Sequence, residues 1–164
     1  MLTVANFKFT LGDGFLYGYF SSTGLQHLEL HNNHVAPPFL LHSTPNRSWG
    51  YTLHALLENY AAGMPVSFKE VPLNLSVGTP FQQTVWHATA TIPYGDASSY
   101  GRLAQRINQP NAARAVGMAL GANPVCIVVT CHRVLAANGK LGGFSAGLHW
   151  KRFLLDLEGI PFSE

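Results

Sequence analysis

The hydrophobic period changes along this chain, and that change limits the folds open to it. Phe7-Lys8-Phe9-Thr10 and residues 15–22 alternate on either side of Gly12-Asp13-Gly14. Alternation about such a turn marks a β-hairpin, because successive side chains of a strand face opposite ways. Residues 25–30 add a third expected strand, and 31–45, with Asn32-Asn33, Pro37-Pro38 and Pro45, reads as loop. From there the period is helical. Ser48 is placed to cap a helix over 49–62 whose Leu53, Leu56, Leu57 and Tyr60 share one face, and Gly63 and Pro65 stop it. Residues 65–78 then run as an extended linker.

Beyond the linker short helices dominate. Thr79-Pro80 opens one carrying Phe81, Val85 and Trp86, and Ile92-Pro93-Tyr94-Gly95 breaks it. Ser98 or Ser99 caps the next, with Leu103, Ala104 and Ile107 inward; 108–111 turns, and Asn111 caps a helix over 112–120 that Gly121 ends. Two short helices across a four-residue turn form the helix-turn-helix pattern. The second is built of Ala, Gly, Val, Met and Leu with Arg114 its only charge, so its backbone can approach another surface closely. Read alone, it is equally a small core helix with one surface arginine. The expectation is an α/β (α+β) chain: a sheet-plus-helix domain over 1–75 and a mostly helical domain over 76–164.

Composition narrows the class. With 47% hydrophobic and 11% charged residues the chain can bury a core, which excludes disorder for most of it. No apolar run approaches the roughly 18 residues of a membrane span, and MLTVANFKFTLGDG has no basic start leading into an apolar stretch, so a soluble cytoplasmic protein is expected. The basic residues are concentrated late: residues 1–78 hold three against four acidic ones, residues 79–164 seven against four. That bias suits phosphates and suits an ordinary surface equally. Cys126 and Cys131 are too few for a disulfide framework, and with only His132 near them their spacing is poor for a metal; free thiols are expected.

The chemistry gathers around Cys131. Residues 125–129 are an apolar run that reads as a buried strand, and Thr130-Cys131-His132-Arg133-Val134 stands at its end, before the glycine-bearing loop Gly142-Gly143-Phe144-Ser145-Ala146-Gly147 and a helix over 148–157 that Glu158-Gly159 ends. A thiol attacks as thiolate, yet with a pKa of about 8.5 it is mostly protonated at neutral pH. A base held by a carboxylate solves this, and Cys131, His132 and a carboxylate such as Glu158 would make the set. Two buried packing thiols are the plainer reading of such a pair, and spacing does not decide between them.

The stretches GTPFQQTVW, TIPYG, SYGRLA, NAARAVGMALGANP, IVVTCHRV, NGKLGGFSAG and KRFLLDLEG, in this order, resemble the O6-alkylguanine-DNA alkyltransferases (methylated-DNA–protein-cysteine methyltransferases). The likeness runs from about Leu53 to Pro161, while residues 1–45 match only loosely. It implies a ribonuclease H-like N-terminal domain and direct repair, with an alkyl group passing irreversibly, once per molecule, from O6 of guanine, and from O4 of thymine, to Cys131. In this resemblance His132 deprotonates the thiol through a water and Glu158 orients His132. Asn123 is the hinge asparagine. Arg114 fills the duplex where the base has flipped out, and Tyr100 contacts the base and helps rotate its phosphate. The Ser145 N–H points at guanine O6, the carbonyls of Cys131 and Val134 accept from its amino group, and Lys151 lies near the site. The implied partner is double-stranded DNA gripped through its minor groove by a monomer, without metal or cofactor. Two positions depart from the pattern: Thr130 stands where proline is usual, and Phe144 where a tyrosine against the base is common.

Three other readings compete. An alkyltransferase-like protein that binds damaged guanine without repairing it would lack the acceptor cysteine. A helix-turn-helix regulator would need polar side chains on its second helix. A cysteine hydrolase would need a base set apart in sequence and an oxyanion hole.

Overall fold

The computed structural model describes residues 5–32 and 47–164. Packing divides them into two units, one holding residues up to Leu75 together with Pro124–Cys126, the other Ser76–Asn123 with Ile127–Glu164.

In the first unit β1 (Phe7–Leu11), β2 (Gly14–Ser21) and β3 (Gly24–Asn32) form an antiparallel sheet in sequence order. The hairpin register pairs Phe7 with Gly18 and Leu11 with Gly14, and β1 alternates buried and exposed as its sequence requires. The β2–β3 register slips at Tyr19/Phe20, and the buried Asn6 amide covers the irregularity, its Nδ2 donating to the Phe20 carbonyl at 3.0 Å and its Oδ1 accepting from the Phe20 N–H at 2.8 Å. β3 extends through His31 and Asn32, which were expected in loop; the rest of that loop, 33–45, lies outside the described residues. α1 (Arg47–Ala61) buries Leu53, Leu57 and Tyr60, each such side chain contributing about 1.5–3 kcal/mol by leaving water. Ser48 lies inside this helix rather than capping it. The expected linker is not free chain: Val71 and Leu75 are buried, and Leu25 exchanges hydrogen bonds with Pro72 and Asn74.

The second unit is helical. α2 (Pro80–Ala90) starts with a capping box, Thr79 accepting from the Gln82 N–H and Gln82 returning a bond to the Thr79 N–H. Trp86 from this helix reaches α4 (Ala113–Gly121) and donates to the Ala119 carbonyl at 2.7 Å. α3 (Tyr100–Arg106) is capped by Ser99, while α4 has Ala112 at its cap, so Asn111 does not serve there and the turn between the helices is longer than expected. Val85, Ile92, Leu103, Ala104, Val116, Ala119 and Leu120 form one core, and Cys131 and Val134 belong to it. α5 (Leu148–Glu158) buries Trp150, Lys151, Leu154, Leu155 and Glu158 and ends at a left-handed Gly159, while Leu157 is only half-buried.

Residues 125–129 are buried as expected but are not a strand. Ile127 has φ +69, a left-handed value that a β-branched residue takes only when held there, and it turns the run in its middle. An apolar run reports burial, and buried turn and buried strand look alike by that measure.

Candidate active site

Cys131 opens a single 3₁₀ turn, Cys131–Arg133, and the chain continues into β5 (Val134–Leu135), which pairs in parallel with β4 (Ser98–Ser99) just before α3. The short ladder sets the Cys131 turn beside Tyr100. The thiol is 6% exposed and lines a pocket with Tyr100, Gly117, Leu120, Gly121, Gly143, Phe144 and Ser145. Asn123 holds it from beyond the end of α4, its Nδ2 donating to Cys131 Sγ and to the Val129 carbonyl, both at 3.1 Å.

Behind the thiol lies a buried charged group. His132 Nε2 is 2.7 Å from Glu158 Oε1, and Arg133 donates to both carboxylate oxygens at 2.8–3.2 Å. Gly95 adds its N–H to Oε2 at 3.2 Å, Arg133 also donates to the Ile92 carbonyl, and the Tyr94 ring lies 5.8 Å from the guanidinium carbon. Burial alone would raise the Glu158 carboxyl, but His132 and Arg133 outweigh it and hold it at about 2. Burial lowers the His132 pKa against the pull of Glu158, so the ring is neutral at neutral pH and able to take a proton. Burial pushes the Cys131 thiol up, opposed by the Asn123 N–H and the Lys151 charge.

Lys151, buried on α5, donates to the Val134 carbonyl at 2.7 Å and the Gly143 carbonyl at 3.1 Å, and burial brings it down to about 8. The Gly143 N–H in turn donates to the Tyr100 hydroxyl at 3.3 Å, so the loop is held from two sides. Gly142 is required beneath that contact: its φ is +68, and a Cβ there would stand 2.6 Å from Tyr100 Oη.

The sequence-expected residues thus fall into groups. Cys131, Tyr100, Phe144 and Ser145 share the pocket. His132 and Glu158 are paired behind it, and Asn123 and Lys151 brace it. Val134 is buried in the core with its carbonyl on Lys151. Arg114 is outside the pocket, exposed on α4 one turn from Gly117, which lines it. Sequence reasoning gave no role to Arg133 or to the α2 exit, where TIPYG was read as a helix break and as one stretch of the resemblance; an arginine next to His132 was the available signal. Among the described residues no cluster of three His, Cys, Asp or Glu could hold a metal ion.

The two departures have visible consequences. Thr130 takes φ −80, near the value proline would impose, and its hydroxyl donates to the Thr89 carbonyl at 2.6 Å. Phe144 keeps an aromatic wall in the pocket without a hydroxyl.

Residues 80–160 match the family model described as 6-O-methylguanine DNA methyltransferase, DNA binding domain. A methylated-DNA–protein-cysteine methyltransferase of Haemophilus influenzae is 41% identical over 138 residues, 84% of this chain and 76% of that protein. The chain belongs to the 6-O-methylguanine DNA methyltransferase family. A Mycobacterium bovis relative of the same name is 54% identical over 102 residues, 62% of this chain and 61% of that one. Among solved structures, the OGT of Mycobacterium tuberculosis in complex with DNA superposes with a TM-score of 0.76 at 40% identity, covering 92% of this chain and 90% of that one. An O6-methylguanine-DNA methyltransferase of the hyperthermophilic archaeon Pyrococcus kodakaraensis gives 0.59 at 26% identity, over 93% and 97%. The family thus extends to the α+β architecture of the whole chain. No helix among the described residues is long and apolar enough to cross a membrane.

Proposed function

We propose that this chain repairs DNA by moving an alkyl group from O6 of guanine, and from O4 of thymine, to Cys131, once per molecule and without cofactor. The observation that carries the reading is the Cys131 thiol opening into a pocket walled by Tyr100, Phe144 and the Gly-rich loop, with a buried His132–Glu158 pair behind it. The resting thiol is protonated because burial raises its pKa, so it needs a base. The neutral His132 takes the proton through a water, and ionised Glu158, itself held in place by Arg133, steadies the imidazolium that forms. Asn123 and the Lys151 charge favour the thiolate. Sulfur then attacks the alkyl carbon in line: the S–C bond forms as the C–O6 bond breaks, and the electron pair leaves with guanine. The Ser145 N–H at O6 stabilises that charge, and the carbonyls of Cys131 and Val134 hold the amino group. A thioether is not reversed by thiol exchange, which is why each molecule acts once.

The base must leave the stack, at a cost of a few kcal/mol. Arg114 on the low-profile face of α4 fills the vacated position, and the Ala- and Gly-rich helix suits a minor groove. Tyr100 contacts the base and helps turn its phosphate. The protein works as a cytoplasmic monomer on double-stranded DNA, nearly blind to sequence and sensitive to salt. Intact-mass measurement after incubation with an O6-methylguanine duplex tests this, with peptide mapping. One methyl group gained on Cys131 supports it, and tight lesion binding without mass change sinks it.

A further inference from the structure

The exit of α2 grips the Cys131 turn at two points and its carboxylate partner on α5 at another. The Ile92 carbonyl accepts from Arg133, and the Gly95 N–H donates to Glu158, both on the base side of the site. The third grip is on the nucleophile's own side. Thr130, 2% exposed and next to Cys131, donates its hydroxyl to the Thr89 carbonyl at 2.6 Å, across 41 residues of sequence. Thr89 is itself fully buried in the last turn of α2, where its hydroxyl donates to the Val85 carbonyl at 2.7 Å and its carbonyl also accepts from the Ile92 N–H at 3.1 Å. The accepting atom is therefore fixed by a helix end that cannot easily shift.

The turn it steadies is held on its far side by Arg133 on Glu158 and Ile92, and on the Cys131 side by the Cys131 N–H on the Val129 carbonyl at 2.8 Å and by Asn123. Three residues of 3₁₀ helix close through the Arg133 N–H on the Thr130 carbonyl at 2.9 Å, and Thr130 sits at φ −80, ψ 49, outside both the helical and the strand wells. The choice of side-chain conformers that a free threonine would have is removed by the Thr89 bond. The Cys131 Sγ contact with Asn123, at 3.1 Å, depends on where this turn places the sulfur.

We propose that Thr130 is a positioning residue for alkyl transfer, its hydroxyl on the Thr89 carbonyl fixing the sulfur of Cys131 against Asn123 and the pocket. This rests on the reading of Cys131 as the acceptor, so one readout must work without DNA. That readout is alkylation of Cys131 by iodoacetamide as a function of pH, located by peptide mapping. Sulfur displaces iodide from the reagent's methylene carbon, and the thiol proton passes to buffer.

Thr130→Val keeps the shape and removes the hydroxyl, whereas Thr130→Ser keeps the hydroxyl and removes a methyl. With Val, the single-turnover methyl-transfer rate at saturating O6-methylguanine duplex falls about tenfold, lesion affinity is unchanged, and the pH midpoint of Cys131 alkylation rises. Serine restores both the rate and the midpoint. Should the Val variant fail to fold, Thr130→Ala against Thr130→Ser makes the same comparison, since both lose the methyl. The proposal is overturned if the hydroxyl-free variant matches the parent in both readouts, or if Ser falls as far as it does. A parent that alkylates normally but accepts no methyl from DNA would instead overturn the repair reading alone.

Discussion

Replacing Glu158 by glutamine separates the charge of the buried carboxylate from its shape. The side chain is fully enclosed, with His132, Arg133 and the Gly95 N–H on its two oxygens at 2.7–3.2 Å. Its pKa is held at about 2 in the folded chain, against an ordinary 4.5. A lowered folded value means that the stabilisation is present in full above the unfolded value and is lost as pH falls through the folded one. The gap of about 2.5 at about 1.36 kcal/mol per pKa unit comes to about 3 kcal/mol. Removing one partner of a buried ion pair costs about 3–5 kcal/mol by separate experience, so the two figures agree. Glu158→Gln should therefore lose about 3 kcal/mol at neutral pH, and the difference from the parent should shrink between pH of about 5 and about 2 as the parent's carboxyl protonates. Urea unfolding followed by tryptophan fluorescence, with Trp49 replaced by Phe in both proteins so that Trp86 and Trp150 report, measures this in the second unit. If the two stability curves run parallel down to pH 3, the charge on Glu158 contributes nothing and the argument for an ionised buried group is wrong.

Cys131→Ala should abolish methyl uptake while leaving lesion binding intact, as read by intact mass and fluorescence anisotropy. Arg114→Ala should slow transfer at least about tenfold on duplex and much less on a single strand, because only the duplex charges a few kcal/mol for extruding the base; equal losses on both would refute the duplex-filling role. Gly142→Ala places a methyl 2.6 Å from the Tyr100 hydroxyl at φ +68, so besides about 1–2 kcal/mol of backbone cost it should impair transfer, and an unchanged single-turnover rate would count against the role given to Tyr100.

What the sequence revealed and what it hid divide along physical lines. The helix start at Thr79-Pro80, the cap at Ser98 or Ser99 and the Gly159 stop are local signals, and the structure has them there, with Ser99 as the cap and a capping box added at Thr79. The Asn111 cap failed because α4 starts one residue later, at Ala113, and a cap is defined by backbone angles rather than by the presence of a suitable side chain. His132 and Glu158 could be named from a chemical requirement, that a thiol needs a base and the base a carboxylate. The bonds of Arg133 and Thr130 could not be named that way: Thr130 stood out only as a departure from proline, and no chemical requirement pointed to Ile92 or Thr89, 41 residues away, as partners. The 125–129 run showed its burial but not its turn at Ile127, because hydrophobicity carries no sign of φ.

The assignment of Pro124–Cys126 to the first unit has a consequence for how the chain is made. The Leu28 N–H donates to the Pro124 carbonyl and the Cys126 N–H to the Leu28 carbonyl, so this part of the outer edge of β3 gains its partner only from residues far downstream. At about 5–20 residues per second of synthesis, the interval between Leu75 and Cys126 leaving the ribosome is several seconds. For that time the Leu28 N–H and carbonyl on the edge of β3 are without their final partners, a condition that favours pairing with other chains. The same connectivity means that a protein cut after Leu75 would lack a piece of its own sheet edge. Expression of residues 1–75 alone should therefore give an aggregation-prone product, while the intact chain, finished in one pass, closes that edge itself.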